Sequence, residues 1–395
     1  MKKAFYLCGI SILCIVVVVS LQTEKPSHFE ETPLVLSNEM STVPAQAGMS
    51  VIGHVSAPHA KEEGLFLLGA NAPLQVFYHS VSEPACEPVC AYQSTHPTVA
   101  HHAYSLDSLH TLLLEMYYNE EQTLSFCLTR IGIPQLGGQS TTVYQGPCDR
   151  MPYVAVVDLK DSPEAHTLSP HILFNYEHQG ESRLLLFGLY AGSVDPPVVV
   201  SSGMSYSYPE HQIETGRKVA FAGGHGNYVY YQVLYNTVGD PHPEVSTFEA
   251  IGVPILYRYN IHSEEIERVA RLDKIAIHLN ASQNYVLLSE YDYAEPLSES
   301  GKILSLKHQQ EMSIVPGVES GNDILNSRFI DEEHLVIHTP QMLYFVDLER
   351  SAIYTCEPAD HAVLLSSDCV LLANTSASSQ IRYQRIQYSD IFSSL

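Results

Sequence analysis

The feature that most constrains the fold is the stretch Ser327–Cys356, in which short runs of β-forming residues alternate with polar turns. The turns are of the type seen at Asp331–Glu333 and Glu349–Arg350. The runs are rich in β-branched and aromatic side chains, and they are Arg328–Ile330, Leu335–Ile337, Met342–Val346 and Ala352–Tyr354. This spacing predicts one antiparallel unit of four strands.

Similar runs recur from Met49 to the end of the chain, and a repeat of this period is typical of radial or linear arrays. Counting outward makes Ser327–Cys356 the sixth unit of seven. After it the chain supplies three runs, at Ala362–Leu365, Val370–Ala373 and Ile381–Ile386. The last unit therefore lacks one strand, and we expect the N-terminal run Pro33–Leu36 to complete it and close the ring.

Two hairpins carry a resemblance to a known superfamily. Leu343–Leu348, followed by Arg350 and Ile353, resembles the hairpin of the third and fourth strands in a WD40-like or TolB-like β-propeller blade. Leu256–Ile261, leading to Ile266, is similar. The likeness covers about residues 33–390, although the chain has no Trp and so lacks the Trp-Asp dipeptide. It implies an all-β, seven-bladed β-propeller, with six or eight blades as the alternatives. The N-terminal residues, outside this likeness, add a predicted membrane segment. Fold alone does not assign function.

The N-terminus predicts export. Lys2 and Lys3 precede Ala4–Leu21, which has eighteen residues without a charge. This length lies at the border between a signal peptide and a spanning helix, and we favour an anchor over cleavage after Ser20. The predicted organisation is residues 1–21 as the anchor or signal peptide, 22–48 as a tether and 49–395 as the propeller. The expected location is the inner membrane, with the propeller periplasmic or extracellular, or secreted if the segment is cleaved.

The charge balance limits the partners. Lys and Arg number 20 against 44 Asp and Glu, which gives a net charge of −24. Such a chain repels phosphate backbones, so we expect no nucleic-acid partner. Partners of another kind, a protein or an envelope polymer, remain compatible with this charge.

Three long segments are the candidate binding surface, because long loops on a rigid scaffold commonly carry function. They are Gly203–Arg217, Asn236–Pro254 and Asp292–Lys302, and the strand order predicts that they share one face. They contain a mixture of phenols, imidazoles and carboxylates: Tyr206, Tyr208, Glu210, His211, Glu214, Asp240, His242, Glu244, Asp292, Tyr293 and Glu295.

Other motifs are better explained as structure than as chemistry. Asp240, His242 and Glu244 have the side chains of metal ligands, but alternate residues between prolines project alike without an ion, so we predict no metal and no cofactor. Gly223–Asn227 lacks the Lys and the helix of a phosphate loop, which favours a turn with positive φ. Gly203–Ser207 lacks the last glycine of a nucleophile elbow.

The cysteines predict at most a local disulfide. Cys86 and Cys90 are close enough in sequence to bridge a turn in an oxidising compartment. Cys127 and Cys148 could pair only if the hairpin between them bends back. The pattern as a whole favours a membrane-tethered binding scaffold over its alternative, a hydrolase or lyase with a carboxylate and His site in the long loops.

Overall fold

The structure is a computed structural model that describes residues 29–34, 40–57, 62–69, 72–83, 87–190, 193–194, 196–208, 213–236, 254–272, 275–291, 300–306, 310–313, 324–358, 361–366, 368–374 and 380–392. The predicted anchor lies outside these residues. Within them, no helix combines the length and the apolar composition needed to cross a bilayer.

The described chain is almost entirely β. A 3-10 turn covers Pro134–Leu136, and one short helix, α1, covers Tyr388–Phe392. The strands are β1 (Glu30–Pro33), β2 (Ser41–Pro44), β3 (Ser50–Ala57), β4 (Glu62–Leu68), β5 (Gln75–Ser80), β6 (Val89–Gln93), β7 (Thr98–Ser105), β8 (His110–Tyr118), β9 (Leu124–Gly132), β10 (Thr141–Pro147), β11 (Tyr153–Lys160), β12 (Leu168–His178), β13 (Glu181–Tyr190), β14 (Ser193–Val194), β15 (Val198–Tyr208), β16 (Ile213–Gly226), β17 (Tyr228–Asn236), β18 (Pro254–Asn260), β19 (Ile266–Arg271), β20 (Ile275–Ala281), β21 (Tyr285–Tyr291), β22 (Ser300–Ser305), β23 (Gln310–Ser313), β24 (Asn326–Phe329), β25 (His334–His338), β26 (Leu343–Asp347), β27 (Ala352–Cys356), β28 (Ala362–Leu365), β29 (Cys369–Asn374) and β30 (Gln380–Gln387).

These strands form mainly antiparallel sheets in a propeller-like arrangement. Five sheets have four or five strands, in the orders β3-β4-β5-β6, β7-β8-β9-β10, β20-β21-β22-β23, β24-β25-β26-β27-β1 and β28-β29-β30-β2. The sixth sheet has nine strands, because the β11–β15 and β16–β19 units are joined through the β15–β16 hairpin. The first strands of most successive units contact each other, so they line the central axis.

The side-chain patterns explain why the middle strands form the core. Strand β26 is buried at every position, and β8 is buried from Thr111 to Tyr117. Such unbroken apolar runs, rather than alternating ones, are expected where a sheet is covered on both sides. Outer strands such as β19 are exposed and charged, which protects the sheet edge from pairing with other chains.

Hydrophobic clusters fill the spaces between neighbouring units. Between the β7–β10 sheet and the β11–β15 unit, Leu114, Phe126, Phe174 and Phe187 pack in one cluster. The ring centroids of Phe126 and Phe174 are 4.9 Å apart. Each unit is therefore held by burial against both of its neighbours, as in a closed ring.

The N-terminal strands correct the predicted ring closure. Strand β2 pairs antiparallel with β30 and gives the last sheet its fourth strand. The prediction assigned this role to Pro33–Leu36, but Pro33 ends β1, which pairs parallel with β27 on the outside of the preceding sheet. An N-terminal strand does complete the last unit, but it comes from Ser41–Pro44.

Helix α1 ends the described chain beside the axis. The Tyr388 hydroxyl donates to the Ser366 carbonyl at 3.0 Å, and the Tyr388 side chain is buried. Phe392 packs on the imidazole of His334, with ring centroids 4.3 Å apart. These two contacts fix the helix against the β24–β27 and β28–β30 sheets.

Candidate functional site

A two-stranded ribbon projects from the face on which the long segments were predicted. Ser205–Tyr208 pairs with Ile213–Gly216. The adjoining strand β13 begins its pairing with β15 at Glu181, opposite Met204, so the ribbon extends beyond that neighbour. We call this end of the molecule the ribbon face.

The ribbon replaces the first predicted loop and lies next to the second. Gly203–Arg217 was expected to be a loop, but its described parts, residues 203–208 and 213–217, lie in paired strands. Gly216 has Ser205 as its partner on one side and Asn236 on the other. The segment after Asn236 therefore begins beside the ribbon. The third predicted segment follows Tyr291, which pairs with Ile275 at the start of β20.

The predicted site residues are only partly placed. Tyr206 pairs with Thr215, Tyr208 pairs with Ile213, and Glu214 pairs with Ser207 in the ribbon. The remaining candidates lie outside the described residues, and they are Glu210, His211, Asp240, His242, Glu244, Asp292, Tyr293 and Glu295. Their binding role stays a prediction.

The glycine-rich segment 223–227 is a strand end and a turn, as predicted. Gly226 has φ of 64°, a region that glycine enters without a steric penalty. A Cβ atom at Gly223 would lie 2.7 Å from the Cα atom of Asn280, so this glycine allows β16 to approach β20 closely. The turn marks the face opposite the ribbon, which we call the turn face.

A charged network that the sequence analysis missed lies at the axis near the turn face. Arg328, on β24, donates to a carboxylate oxygen of Asp158, on β11, at 2.5 Å. The two side chains are 9% and 20% exposed. This ion pair joins first strands from non-adjacent units.

Glu332 joins three units near the same end. Its Oε1 atom lies 3.2 Å from Nδ1 of His225, at the end of β16. Its Oε2 atom accepts a hydrogen bond from the Gln283 amide at 2.8 Å, and its carbonyl accepts one from the Ser282 hydroxyl at 3.2 Å. The Asp331–Glu333 turn, which sequence analysis treated as a plain turn, therefore holds neighbouring units together.

A neutral histidine completes the axial network. Nε2 of His278 lies 2.7 Å from the Ser327 hydroxyl, and the side-chain amide of Asn280 donates a hydrogen bond to the Ser327 carbonyl at 2.8 Å. Burial lowers the pKa of His278 to about 4. At neutral pH this side chain is a hydrogen-bonding group without charge.

The lowered pKa values of the buried histidines predict that the folded state loses stability in acid. An exposed histidine has a pKa of about 6.5, so between that value and the pKa of about 4 of folded His278 the unfolded chain binds a proton that the folded chain does not. The free energy of unfolding should fall as pH drops through this window, by at most about 1.4 kcal/mol per pH unit for one histidine. Burial also lowers the pKa of His54, His79, His262 and His338.

Urea titrations at a series of pH values test this expectation. His278→Gln should give a flatter dependence of unfolding free energy on pH than the wild type. His166→Gln, at an exposed turn position, is the matched control and should keep the wild-type slope. An unchanged slope in the His278 variant would contradict the assignment.

A second polar site is a cleft of about 530 Å³ between the β3–β6 and β7–β10 sheets. Tyr92 and His96 line it from one side and Cys127 from the other. Behind them the fully buried carboxylate of Glu115 accepts hydrogen bonds from the hydroxyls of Tyr92, at 2.6 Å, and Thr98, at 2.7 Å. These contacts fix the cleft wall, because a buried polar group is stable only when it is hydrogen-bonded.

The three histidines near this junction, His96, His101 and His102, are not gathered around one point. His96 stacks on Tyr117 with ring centroids 3.9 Å apart, whereas His101 and His102 are exposed on β7. Among the residues that the structure describes, no group of three or more His, Cys, Asp or Glu side chains could hold a metal ion.

Only one cysteine of the predicted Cys86–Cys90 disulfide lies among the described residues. Cys86 lies outside the described residues, and Cys90 is an exposed free thiol whose Sγ contacts the Tyr92 carbonyl at 3.4 Å. The other described cysteines are buried free thiols, namely Cys127, Cys148, Cys356 and Cys369. Burial raises the pKa of each of these four, which keeps them protonated at neutral pH.

No family model and no curated protein matches the chain in sequence. Similar solved structures include the Pan2 WD40 domain of Neurospora crassa, at 11% identity, with a TM-score of 0.40, covering 88% of this chain and 99% of that one. Saccharomyces cerevisiae Sqt1 is 8% identical, with a TM-score of 0.42, over 89% of this chain and 100% of that one. A PL25 ulvan lyase is 9% identical, with a TM-score of 0.48, over 88% and 96%.

All three likenesses have TM-scores below 0.5. The sheet topology itself confirms the predicted all-β, propeller-like arrangement.

Proposed function

We propose that this chain is a seven-bladed propeller that binds another protein or an envelope polymer through its ribbon face. We further propose that the apolar segment Ala4–Leu21 holds it at the membrane, with the propeller on the extracytoplasmic side. The projecting ribbon, next to which the longest predicted loop begins, is the observation that carries this proposal.

The seven-blade count is supported by the packing between units. Among the described residues there are seven hydrophobic clusters, and each contains side chains from two successive units. The joined nine-stranded sheet contributes two of the units. On this count β2 and β28–β30 form the seventh blade.

The axial network supports binding over catalysis. Arg328 is paired with Asp158, His225 with Glu332, and these contacts join separate units. Groups used in this way stabilise the ring, whereas a general acid or base must be available to a substrate. The similar solved structures include a WD40 domain and lyases and, with TM-scores below 0.5, they favour neither class.

Shortening the ribbon is the direct test. Ser205 and Gly216 are opposite each other, so an Asn-Gly turn can replace residues 206–215 and still join them. We expect this variant to keep its melting temperature within a few degrees and to lose at least about tenfold in capture of envelope protein or polymer. Capture would be measured by crosslinking and affinity isolation from the envelope fraction.

The matched control shortens a turn on the opposite face. Lys160 and Leu168 are also a cross-strand pair, so Asn-Gly can replace residues 161–167. This variant should capture partners as the wild type does. Equal loss in both variants would contradict a ribbon-face site, and turnover of a polysaccharide or peptide panel without any captured partner would favour the hydrolase or lyase alternative.

A further inference from the structure

The path of β1 shows from which face the N-terminal segment leaves the propeller. Strand β1 runs parallel to β27, with Glu30 opposite Ala352 and Pro33 opposite Thr355. The Glu30 amide donates to the Ser351 carbonyl at 3.0 Å, beside the turn that joins β26 to β27. Residue 29 therefore lies at the end of the sheet that carries this turn.

That end belongs to the turn face. The Leu348 amide donates to the Glu333 carbonyl at 2.9 Å, so the β26–β27 and β24–β25 turns are neighbours. Glu332, in the second of these turns, contacts His225 at the Gly226 end of β16. The ribbon begins at the opposite end of that strand. Residue 29 and the ribbon are thus on opposite faces.

The length of the tether then fixes the orientation. Gln22–His28 is the sequence between the apolar segment and Phe29, and seven residues span at most about 25 Å when fully extended. Phe29 is only 8% exposed and packs in a core cluster, so the tether cannot easily be lengthened by detaching it. A strand of nine residues such as β8 is about 30 Å long, so the tether is too short to cross the side of the propeller.

The negative charge of the turn face determines how closely this face can approach the bilayer. The turns here include the exposed carboxylates Asp161, Glu164, Glu264, Glu265, Asp331 and Glu349. Anionic headgroups repel such a surface over about 8–10 Å at physiological salt. The face would stand off from the bilayer instead of inserting into it.

We propose that the propeller is held with its turn face toward the membrane and its ribbon face pointing away from it. The proposal rests on the membrane tether of the proposed function, and it adds the direction in which the binding face is presented. A partner would reach the ribbon from the space beyond the membrane, not from the bilayer surface.

Energy transfer to labelled lipids tests this orientation in the full-length chain. A fluorophore is attached through azidophenylalanine at Ser108, in the β7–β8 turn, or at Glu121, in the β8–β9 turn. Both positions are exposed, and they lie at opposite ends of β8 in one sheet. In phosphatidylethanolamine and phosphatidylglycerol vesicles with rhodamine-labelled headgroups, transfer should be at least about twofold greater from position 108.

Two controls separate the possible failures. A chain that does not float with the vesicles would overturn the membrane tether, and the orientation with it. A chain that floats but shows equal or reversed transfer would overturn the orientation alone. Inserting about 30 Gly and Ser residues after His28 should remove most of the difference, because a long flexible linker lets the propeller turn. A difference that survives this insertion would contradict the role of tether length.

Discussion

A variant lacking residues 1–45 should fail to fold cooperatively, whereas a variant lacking residues 1–28 should unfold in one transition. Removing β2 exposes the edge of β30 and opens the cluster in which Val43 packs with Met49, Val51 and Ile381. A ring left open at one blade loses packing on both sides of the gap, and its free edge promotes aggregation. Circular dichroism during urea unfolding and size-exclusion chromatography measure the two outcomes.

Point variants in β2 give the same test without a deletion. Val43 is fully buried, and Val43→Ala should lower the free energy of unfolding by about 2 kcal/mol. Thr42 is exposed on the same strand, and Thr42→Ala should change it by no more than about 0.5 kcal/mol. Equal stability of the two deletion variants would show that β2 does not close the ring.

The strand rhythm was predictable because each unit obeys local rules. All runs assigned to the Ser327–Cys356 unit are strands, in β24, β25, β26 and β27. Short polar turns and β-branched or aromatic runs are sufficient signals at this level. The sequence predicted that an N-terminal strand closes the ring, but it assigned the wrong segment. Residues 33–36 and 41–44 are both short and both contain a proline. Only their pairing with distant strands, β27 for the first and β30 for the second, distinguishes them.

The ribbon and the axial network show what local signals cannot supply. Gly203–Arg217 has the polar and aromatic composition of a loop, yet its described parts, residues 203–208 and 213–217, lie in paired strands. Asp158 and Arg328 are 170 positions apart, so no local pattern in either strand links the two charges. The sequence offered one signal for this ion pair: a charged residue in the first strand of a unit. First strands line the axis, so such a charge needs a partner there.

Arg328→Met should be among the most destabilising single substitutions, lowering the free energy of unfolding by about 3–5 kcal/mol. Met keeps much of the side-chain volume but leaves the Asp158 carboxylate, only 20% exposed, without its partner. Arg183→Met is the control, because the Arg183–Glu181 pair has side chains 43% and 33% exposed and should contribute no more than about 1 kcal/mol.

A double-mutant cycle decides whether the pair itself is responsible. With Asp158→Asn added, the Arg328→Met chain no longer holds an unpaired carboxylate at the axis. The double variant should therefore be more stable than the sum of the two single losses predicts, by about 1–3 kcal/mol. Strict additivity in urea unfolding would mean that Arg328 stabilises the ring through packing alone. A non-additive result would instead make this ion pair a connection between units that sheet pairing does not join, so that unfolding of one side of the ring is coupled to the other.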